Sequence, residues 1–336
     1  MKVFEIQNTF GLDSLTLTER AELSPSYGQV LIKLRAASLN YRDLMVVKGL
    51  YNPKLPLPLI PFSDGVGEVV VVGEGVTRVK TGDRVAGIFF QKWLCGERTE
   101  VNAKSALGGD LDGLLAEYVV LHEDGVVHVP EHLTDEEVAT LPCAAVTAWN
   151  ALITSGGVKA GDTVLVQGTG GVSIFALQFA QLLGARVIAT SSSNEKLERV
   201  RQLGASDGIN YKETPDWDKK VKELTGGIGI DRVVEVGGAG TLTKSLRAVR
   251  IGGQLSLIGV LTGGSGEIST AAILMKNVRV QGINVGSREM FEAMNRAITL
   301  HKLRPIVDRM FPFEEVPQAL RYMESGAHFG KICVRF

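Results

Sequence analysis

Thr163-Val164-Leu165-Val166-Gln167-Gly168-Thr169-Gly170-Gly171-Val172-Ser173 is the stretch that decides the fold. Its first five residues read as a short buried strand. From Val172 an apolar pattern of helical period runs to Leu183 and stops at Gly184. A strand that enters a helix through glycines is the form of a dinucleotide-binding turn. One glycine permits the tight turn, and a second lets a pyrophosphate approach the backbone. The helix N-terminus offers free N–H groups to the phosphates. The third fingerprint position, ordinarily Gly or Ala, is Ser173, still small enough for the helix to pack on the strand. An ordinary glycine-rich turn is the competing reading.

Working outward, residues 185–190 read as the second strand, followed by Ser191-Ser192-Ser193 and a helix over 194–203 closed by Gly204. An NAD enzyme places Asp or Glu at the end of this strand to hold the ribose hydroxyls. Here hydroxyls and Lys196 stand there instead. They suit a 2′-phosphate dianion, which a carboxylate would repel. Alternatively the serines cap the helix and Lys196 is a solvated charge. Beyond, 209–211 is extended, and Thr214-Pro215 opens a helix ending near Leu224. Strand 231–236, helix 242–249 and strands 255–260 and 279–285 follow. Such alternation builds a doubly wound parallel sheet covered on both faces. Strand 279–285 is the expected edge, and an edge invites pairing with a second copy of the chain.

The first third has a different text. Residues 29–37, the run Val69-Val70-Val71-Val72, Arg84-Val85-Ala86-Gly87-Ile88 and 116–121 read as short strands between glycine-rich turns. Thr134-Asp135-Glu136-Glu137 has the form of a capping box and predicts a helix through Ala151. From Pro305 the text becomes strand-like again, ending Gly330-Lys331-Ile332-Cys333-Val334-Arg335. This tail is expected to fold back onto the first third. The expected domains are 1–125 with 302–336, and 126–301.

Bulk properties agree with two soluble domains. The chain has 336 residues, of which 45% are hydrophobic and 22% charged, enough for a sizeable core without staples. A formal net charge of -1 excludes a general nucleic-acid binder. Cys95, Cys143 and Cys333 are scattered and odd in number, which does not suit a disulfide framework. No signal core or membrane-length apolar run is present, so no membrane partner is expected and the cytoplasm is the default location.

A longer series of motifs carries a resemblance. Asn40-Tyr41-Arg42-Asp43, Gly65-Val66-Gly67-Glu68-Val69, Gly82-Asp83-Arg84-Val85 and Leu141-Pro142-Cys143-Ala144-Ala145-Val146-Thr147-Ala148-Trp149 come first. Gly161-Asp162-Thr163-Val164-Leu165-Val166, the glycine motif and Gly184-Ala185-Arg186-Val187-Ile188 follow in order. In this the chain resembles the medium-chain dehydrogenase/reductase superfamily over nearly its whole length, close to its quinone-reductase branch. The resemblance implies a GroES-like β-rich catalytic domain, completed by the tail, and a Rossmann domain. It implies a homodimer with a continuous sheet. It also implies NADPH as cofactor, with Lys196 and Tyr211 on the adenosine phosphate. The expected cofactor contacts are Thr147, Gly168, Thr169, Gly170, Gly171, Val172, Ser191, Ser192, Lys196 and Tyr211.

Alcohol dehydrogenases of that superfamily hold catalytic zinc with Cys, His and Cys. The matching positions here are Asn40, Ser63 and Cys143. One thiol of three does not make a zinc site, and the four closely spaced cysteines of a structural zinc lobe are missing too. No metal is therefore expected, and Cys143 reads as a small apolar residue. Without zinc, a quinone or an α,β-unsaturated carbonyl remains a feasible hydride acceptor, because its charge spreads onto a conjugated oxygen. The resemblance puts Asn40, Tyr41, Asp43 and Tyr51 at the catalytic site. Asn40 would donate to the oxyanion, Tyr41 or Tyr51 would give a proton, and Asp43 would orient Asn40 or a water. Alternatively Asn40 and Asp43 form a turn and the tyrosines pack. Lys331 has a family counterpart near the site, against the alternative of a solvated lysine. Residues 89–115, with Trp93, Leu94, Leu107 and Leu111, are expected at an apolar rim suited to a small hydrophobic substrate. A zinc-independent alcohol dehydrogenase and a non-catalytic NADPH-binding protein are the competing functions.

Overall fold

The computed structural model describes residues 1–336. In chain order the strands are β1 Lys2–Ile6, β2 Leu15–Glu19, β3 Gln29–Ser38, β4 Asp64–Val72, β5 Arg84–Gly87, β6 Tyr118–His122 and β7 Val126–His128. Next come β8 Thr163–Gln167, β9 Arg186–Ser191, β10 Asp207–Asn210, β11 Ile230–Glu235, β12 Val249–Leu257 and β13 Arg279–Gly282. The last two are β14 Val307–Pro312 and β15 Lys331–Arg335.

The chain forms two units, Met1–Val146 with Gly286–Phe336, and Thr147–Val285. These boundaries differ from the expected 125/126 and 301/302. Packing is the reason. Helix Asp135–Ala139 lies against β3, β4 and β15, and helix Arg288–His301 against β7, all strands of the first unit.

In the second unit the strands run in the order β10-β9-β8-β11-β12-β13, every neighbouring pair parallel. Val164, Leu165 and Val166 of β8 are fully buried, as a central strand covered on both faces must be. Leu165, Ile188, Val233 and Leu255 from four strands share one core with Trp217, Val221, Leu242 and Leu246 from the flanking helices. β8 lies between β9 and β11, so the strand order reverses there, and ligands bind beyond the carboxyl ends at such a point. β12 begins at Val249 rather than 255. Its register shifts beside Ile230 and Gly252 has a φ of 71°, an irregularity that hid the strand's period.

In the first unit the order is β14-β15-β3-β4-β5-β7, with β6 also on β3. Only β14 and β15 pair in parallel; the other pairs are antiparallel. The tail does return as strands, yet helix Val316–Glu324 interrupts it. Val316, Ala319, Leu320 and Met323 are buried on one face, a helical stripe that the strand-like flanks concealed. The helix expected over 134–151 ends as an α-helix at Ala139. A wider turn, Leu141–Ala145, follows, in which the Val146 N–H reaches back to Leu141 O. No helix is long and apolar enough to cross a membrane.

Candidate active site and nucleotide-binding turn

Strand register assembles one buried polar cluster in the first unit. β3 pairs with β4 so that Ser38 faces Asp64, and with β15 so that Ser38 faces Cys333. The segment just after β3 therefore meets the start of β4 and the start of β15. Those three ends carry Asn40, Ser63-Asp64 and Lys331. The Lys331 ammonium donates to Leu39 O, and to Asn40 Oδ1 at 2.6 Å. Asn40 Nδ2 points to Ser63 Oγ at 3.4 Å, and the Ser63 hydroxyl donates to Asp64 Oδ1 at 2.7 Å. Asp64 Oδ2 takes the Cys143 N–H at 3.0 Å, a donor that the wide turn leaves available.

Asp43 enters from helix Tyr41–Val47. Asn40 stands at the N-cap, and its N–H donates to Asp43 Oδ2 at 2.7 Å, one half of a capping box. The Asn40 side chain is turned instead to Lys331 and Ser63. Asp43 is fully buried and its Oδ1 has no hydrogen-bond partner. It thus holds the Asn40 backbone from beneath and presents nothing to solvent.

Burial pushes the Asp43 carboxyl up to about 7, against the opposing pull of Arg42, and Asp64 adds to the rise. Burial likewise raises Asp64, against Lys331 and its hydrogen bonds. The pH consequence has a definite sign. The unfolded chain releases the Asp43 proton near 3.8, whereas the folded chain keeps it to about pH 7. Between those values the folded state binds the extra proton, so its stability falls as pH rises, by on the order of 4 kcal/mol, and levels off above the window. Asp43→Asn removes the titration and retains an oxygen for the Asn40 N–H. Melting curves from pH 4 to 8 are expected to fall less steeply for the variant than for wild type. Parallel curves would show that Asp43 is ionised throughout.

Tyr41 and Tyr51 are about half exposed. Between Tyr51 and the buried Phe89 lies Arg42, its guanidinium 5.1 Å and 4.8 Å from the two ring centres. Arg42 also donates to Leu107 O at 2.8 Å. Its role was not read from the sequence, because nothing in the local text pairs it with Phe89. The apolar segment 89–115 behaves differently from expectation. Trp93 and Leu107 are interior packing residues. Leu94, Leu107 and Leu111 do line a cavity of about 700 Å³, but none of Asn40, Asp43, Ser63, Asp64 or Lys331 borders it.

The second unit carries the glycine turn. Gly168 has a φ of 70°, where a side chain would be strained. A Cβ on Gly168 or Gly170 would meet nothing within 4 Å, so the space above the turn is open. Gly170 caps helix Gly171–Leu182, whose first N–H groups face that space unpaired within the helix. Thr169 is buried beside it, and Thr147 is buried at the start of the unit. Ser173 accounts for its departure from the fingerprint: its hydroxyl donates to Gln167 O at 2.6 Å, so burying it leaves no orphan. Beneath the turn lies a carboxylate that sequence reading missed. Glu235, at the end of β11, accepts from Gly237 N–H, Gly238 N–H and Thr241 Oγ1. It also accepts from Gln167 Nε2 and Ser245 Oγ, tying the loop after β11 to the end of β8.

At the rim, β9 and β10 bring Ser191 level with Asn210, and the Tyr211 N–H donates to Ser191 O at 3.0 Å. Ser193 caps the next helix through the Lys196 N–H, and Ser191 Oγ accepts from the Ser193 N–H. The capping alternative therefore describes Ser193. Ser191 is buried, Ser192 half-buried and Tyr211 exposed at the carboxyl ends of neighbouring strands, and Lys196, half-buried, lies in the first turn of the helix after β9. These residues fit a phosphorylated nucleotide: an open glycine turn, unpaired helix N–H groups, hydroxyls and a cation, with no carboxylate at Ser191.

Comparison with known proteins gives the same two-part division. Residues 26–131 match the family model "Alcohol dehydrogenase GroES-like domain" and residues 171–299 match "Zinc-binding dehydrogenase". The chain is 48% identical over 314 residues to a zinc-type alcohol dehydrogenase-like protein of Schizosaccharomyces pombe, covering 92% of this chain and 91% of that one. It is 32% identical over 302 residues to a quinone oxidoreductase of Sus scrofa, covering 88% and 85%. A solved NAD-dependent alcohol dehydrogenase superposes with a TM-score of 0.91 at 34% identity, covering 100% of both chains.

Those names imply zinc, and the residues at the three ligand positions do not fit it. The one metal-binding atom of Asn40 is held by an ammonium at 2.6 Å. Ser63 gives its proton to Asp64. No group of three His, Cys, Asp or Glu residues stands close enough to hold a metal ion. A GroES-like domain, a Rossmann sheet and relatives of this similarity together settle the family: the chain belongs to the medium-chain dehydrogenase/reductase superfamily of pyridine-nucleotide-dependent oxidoreductases.

Proposed function

We propose that the protein is a zinc-independent, NADPH-dependent reductase of activated carbonyl acceptors, quinones or α,β-unsaturated carbonyls. The observation that carries this is the hydrogen-bonded chain Lys331–Asn40–Ser63–Asp64 at the ligand positions of the zinc enzymes. An ammonium and an amide there favour a developing oxyanion and disfavour a dication. The cofactor supplies hydride when bound. Asn40 Nδ2 donates to the acceptor oxygen as its charge grows. Asp43 and Lys331 hold Asn40 in place from the backbone and the side chain. Tyr41 or Tyr51, both about half exposed, returns a proton to the reduced product. Conjugated acceptors need no Lewis acid, whereas simple alcohols do.

The test is NADPH consumption by purified protein against a panel of quinones, enones and aldehydes, with alcohol oxidation by NADP⁺ as the opposing arm. Turnover of conjugated acceptors with about zero zinc per chain after mild chelation is expected. One retained zinc, or alcohol oxidation as the faster reaction, would overturn the reading. Binding of NADPH without any turnover would favour a non-catalytic nucleotide-binding protein.

The same proposal includes assembly as a homodimer. β13 is the open edge of its sheet and all four of its residues are exposed. Leu274, Met275 and Val280 add exposed apolar surface in the same unit, more than a lone edge strand tolerates. Sedimentation is expected to give twice the chain mass at micromolar concentration, and Val280→Lys to shift it toward the monomer. A wild-type monomer would remove this part of the proposal.

A further inference from the structure

We infer that Lys331 is a positioning residue: it sets the direction of the Asn40 carboxamide, so that this side chain meets the acceptor as a hydrogen-bond donor. This rests on reading Asn40 as the acceptor-binding group. Three observations carry it. First, Lys331 is buried, with 3% exposure, and its place is fixed by strand pairing rather than by its own flexible stem. The Leu39 N–H and the Ser38 hydroxyl both donate to Ile332 O, the next residue along. Second, the ammonium contacts both Leu39 O and Asn40 Oδ1. Third, Asn40 Nδ2 faces Ser63 Oγ at a long 3.4 Å and also reaches the Asp64 carboxyl.

The donor inventory then decides the direction. An ammonium has three donors and no acceptor, whereas a carboxamide has an acceptor end and a donor end. Turning Asn40 over would press its NH₂ against the ammonium. Only one orientation is therefore allowed at the Lys331 end. The Asp64 end does not compel one orientation, since a protonated carboxyl can donate to Ser63 or Asn40 whereas an ionised one accepts from both. Without the ammonium both orientations of Asn40 become accessible. One of them would aim a carbonyl oxygen at the acceptor oxygen and repel it. The effect of Lys331 on turnover is thus transmitted through Asn40, and Lys331 need not touch substrate.

Two readouts test this, one independent of turnover. In protein labelled with ¹⁵N-asparagine, the Asn40 side-chain amide pair is identified by its loss in Asn40→Ala. It is expected to be one sharp pair in wild type, and to shift or broaden by exchange in Lys331→Met. The kinetic readout is a double-mutant cycle. Lys331→Met is expected to lower kcat roughly tenfold to a hundredfold, with little change in KM for NADPH. In an Asn40→Ala background the same change should cost less than about threefold, because the group it acts through is gone. An unmoved Asn40 pair in Lys331→Met, or an equal loss of kcat in both backgrounds, overturns the inference. If Lys331→Met does not fold, Lys331→Arg, also a pure donor, should keep the Asn40 pair sharp, and a broadened pair there overturns the inference instead. If wild type turns over no acceptor, the reductase reading falls while the amide spectrum still decides the role of Lys331.

Discussion

Asn40→Ala is expected to lower kcat for a conjugated acceptor by about a hundredfold to a thousandfold, the usual cost of one preorganised oxyanion donor. The substitution also leaves the buried Lys331 ammonium one acceptor short, so some stability is lost with it. Asn40→Asp separates the two effects. Its carboxylate satisfies Lys331 and is the same size, yet it has no N–H to give. Loss of kcat in both variants, with melting preserved only in Asn40→Asp, is the expected pattern. Full turnover by Asn40→Asp would mean that the acceptor oxygen is stabilised by another group, with Tyr41 and Tyr51 the next to test.

The second large effect concerns cofactor choice. Ser191 stands at the end of β9, where an acidic residue would hold free ribose hydroxyls, and Tyr211 is tied to it through the backbone. A charge-assisted hydrogen bond is worth about 1.5–3 kcal/mol. Lys196→Ala is therefore expected to weaken NADPH roughly tenfold to a hundredfold and to leave NADH unchanged. Ser191→Asp should go further, repelling the 2′-phosphate and offering NADH a partner. Direct titration of both cofactors into wild type and the two variants measures this. Equal wild-type affinity for NADH and NADPH would show that the rim does not select the phosphate. The NAD dependence of one similar solved enzyme makes this the more informative arm.

The amino-acid sequence by itself determined the architecture of the second unit and the outline of the first. β8, the glycine turn and the helix after it lie within a residue of their expected bounds, because their signals are local: an apolar run, a turn that only Gly satisfies, a helical period closed by Gly184. The hydroxyls at Ser191 and Ser192 were read from the end of the second strand, whereas Tyr211 and the place of Lys196 on the phosphate were implied by the family resemblance. The resemblance brought Asn40, Ser63, Cys143 and Lys331 to one place, and the tertiary structure added Asp64 and the hydrogen bonds of this buried polar cluster. Asn40, Ser63, Asp64 and Lys331 are scattered along the chain until the pairing of β3 with β4 and β15 makes them neighbours, and the Leu141–Ala145 turn adds the Cys143 N–H. It also decided their chemistry. Asp43, expected to orient Asn40 or a water, is sealed beneath Asn40 and accepts its backbone N–H, and burial raises its proton affinity. Glu235 gathers five donors, four from the loop and helix that follow it and one, Gln167, from the end of β8. Hydrogen-bond direction and desolvation depend on what surrounds a group in space. A sequence fixes these only through the fold it adopts, so they become readable only once strand register has brought the partners together.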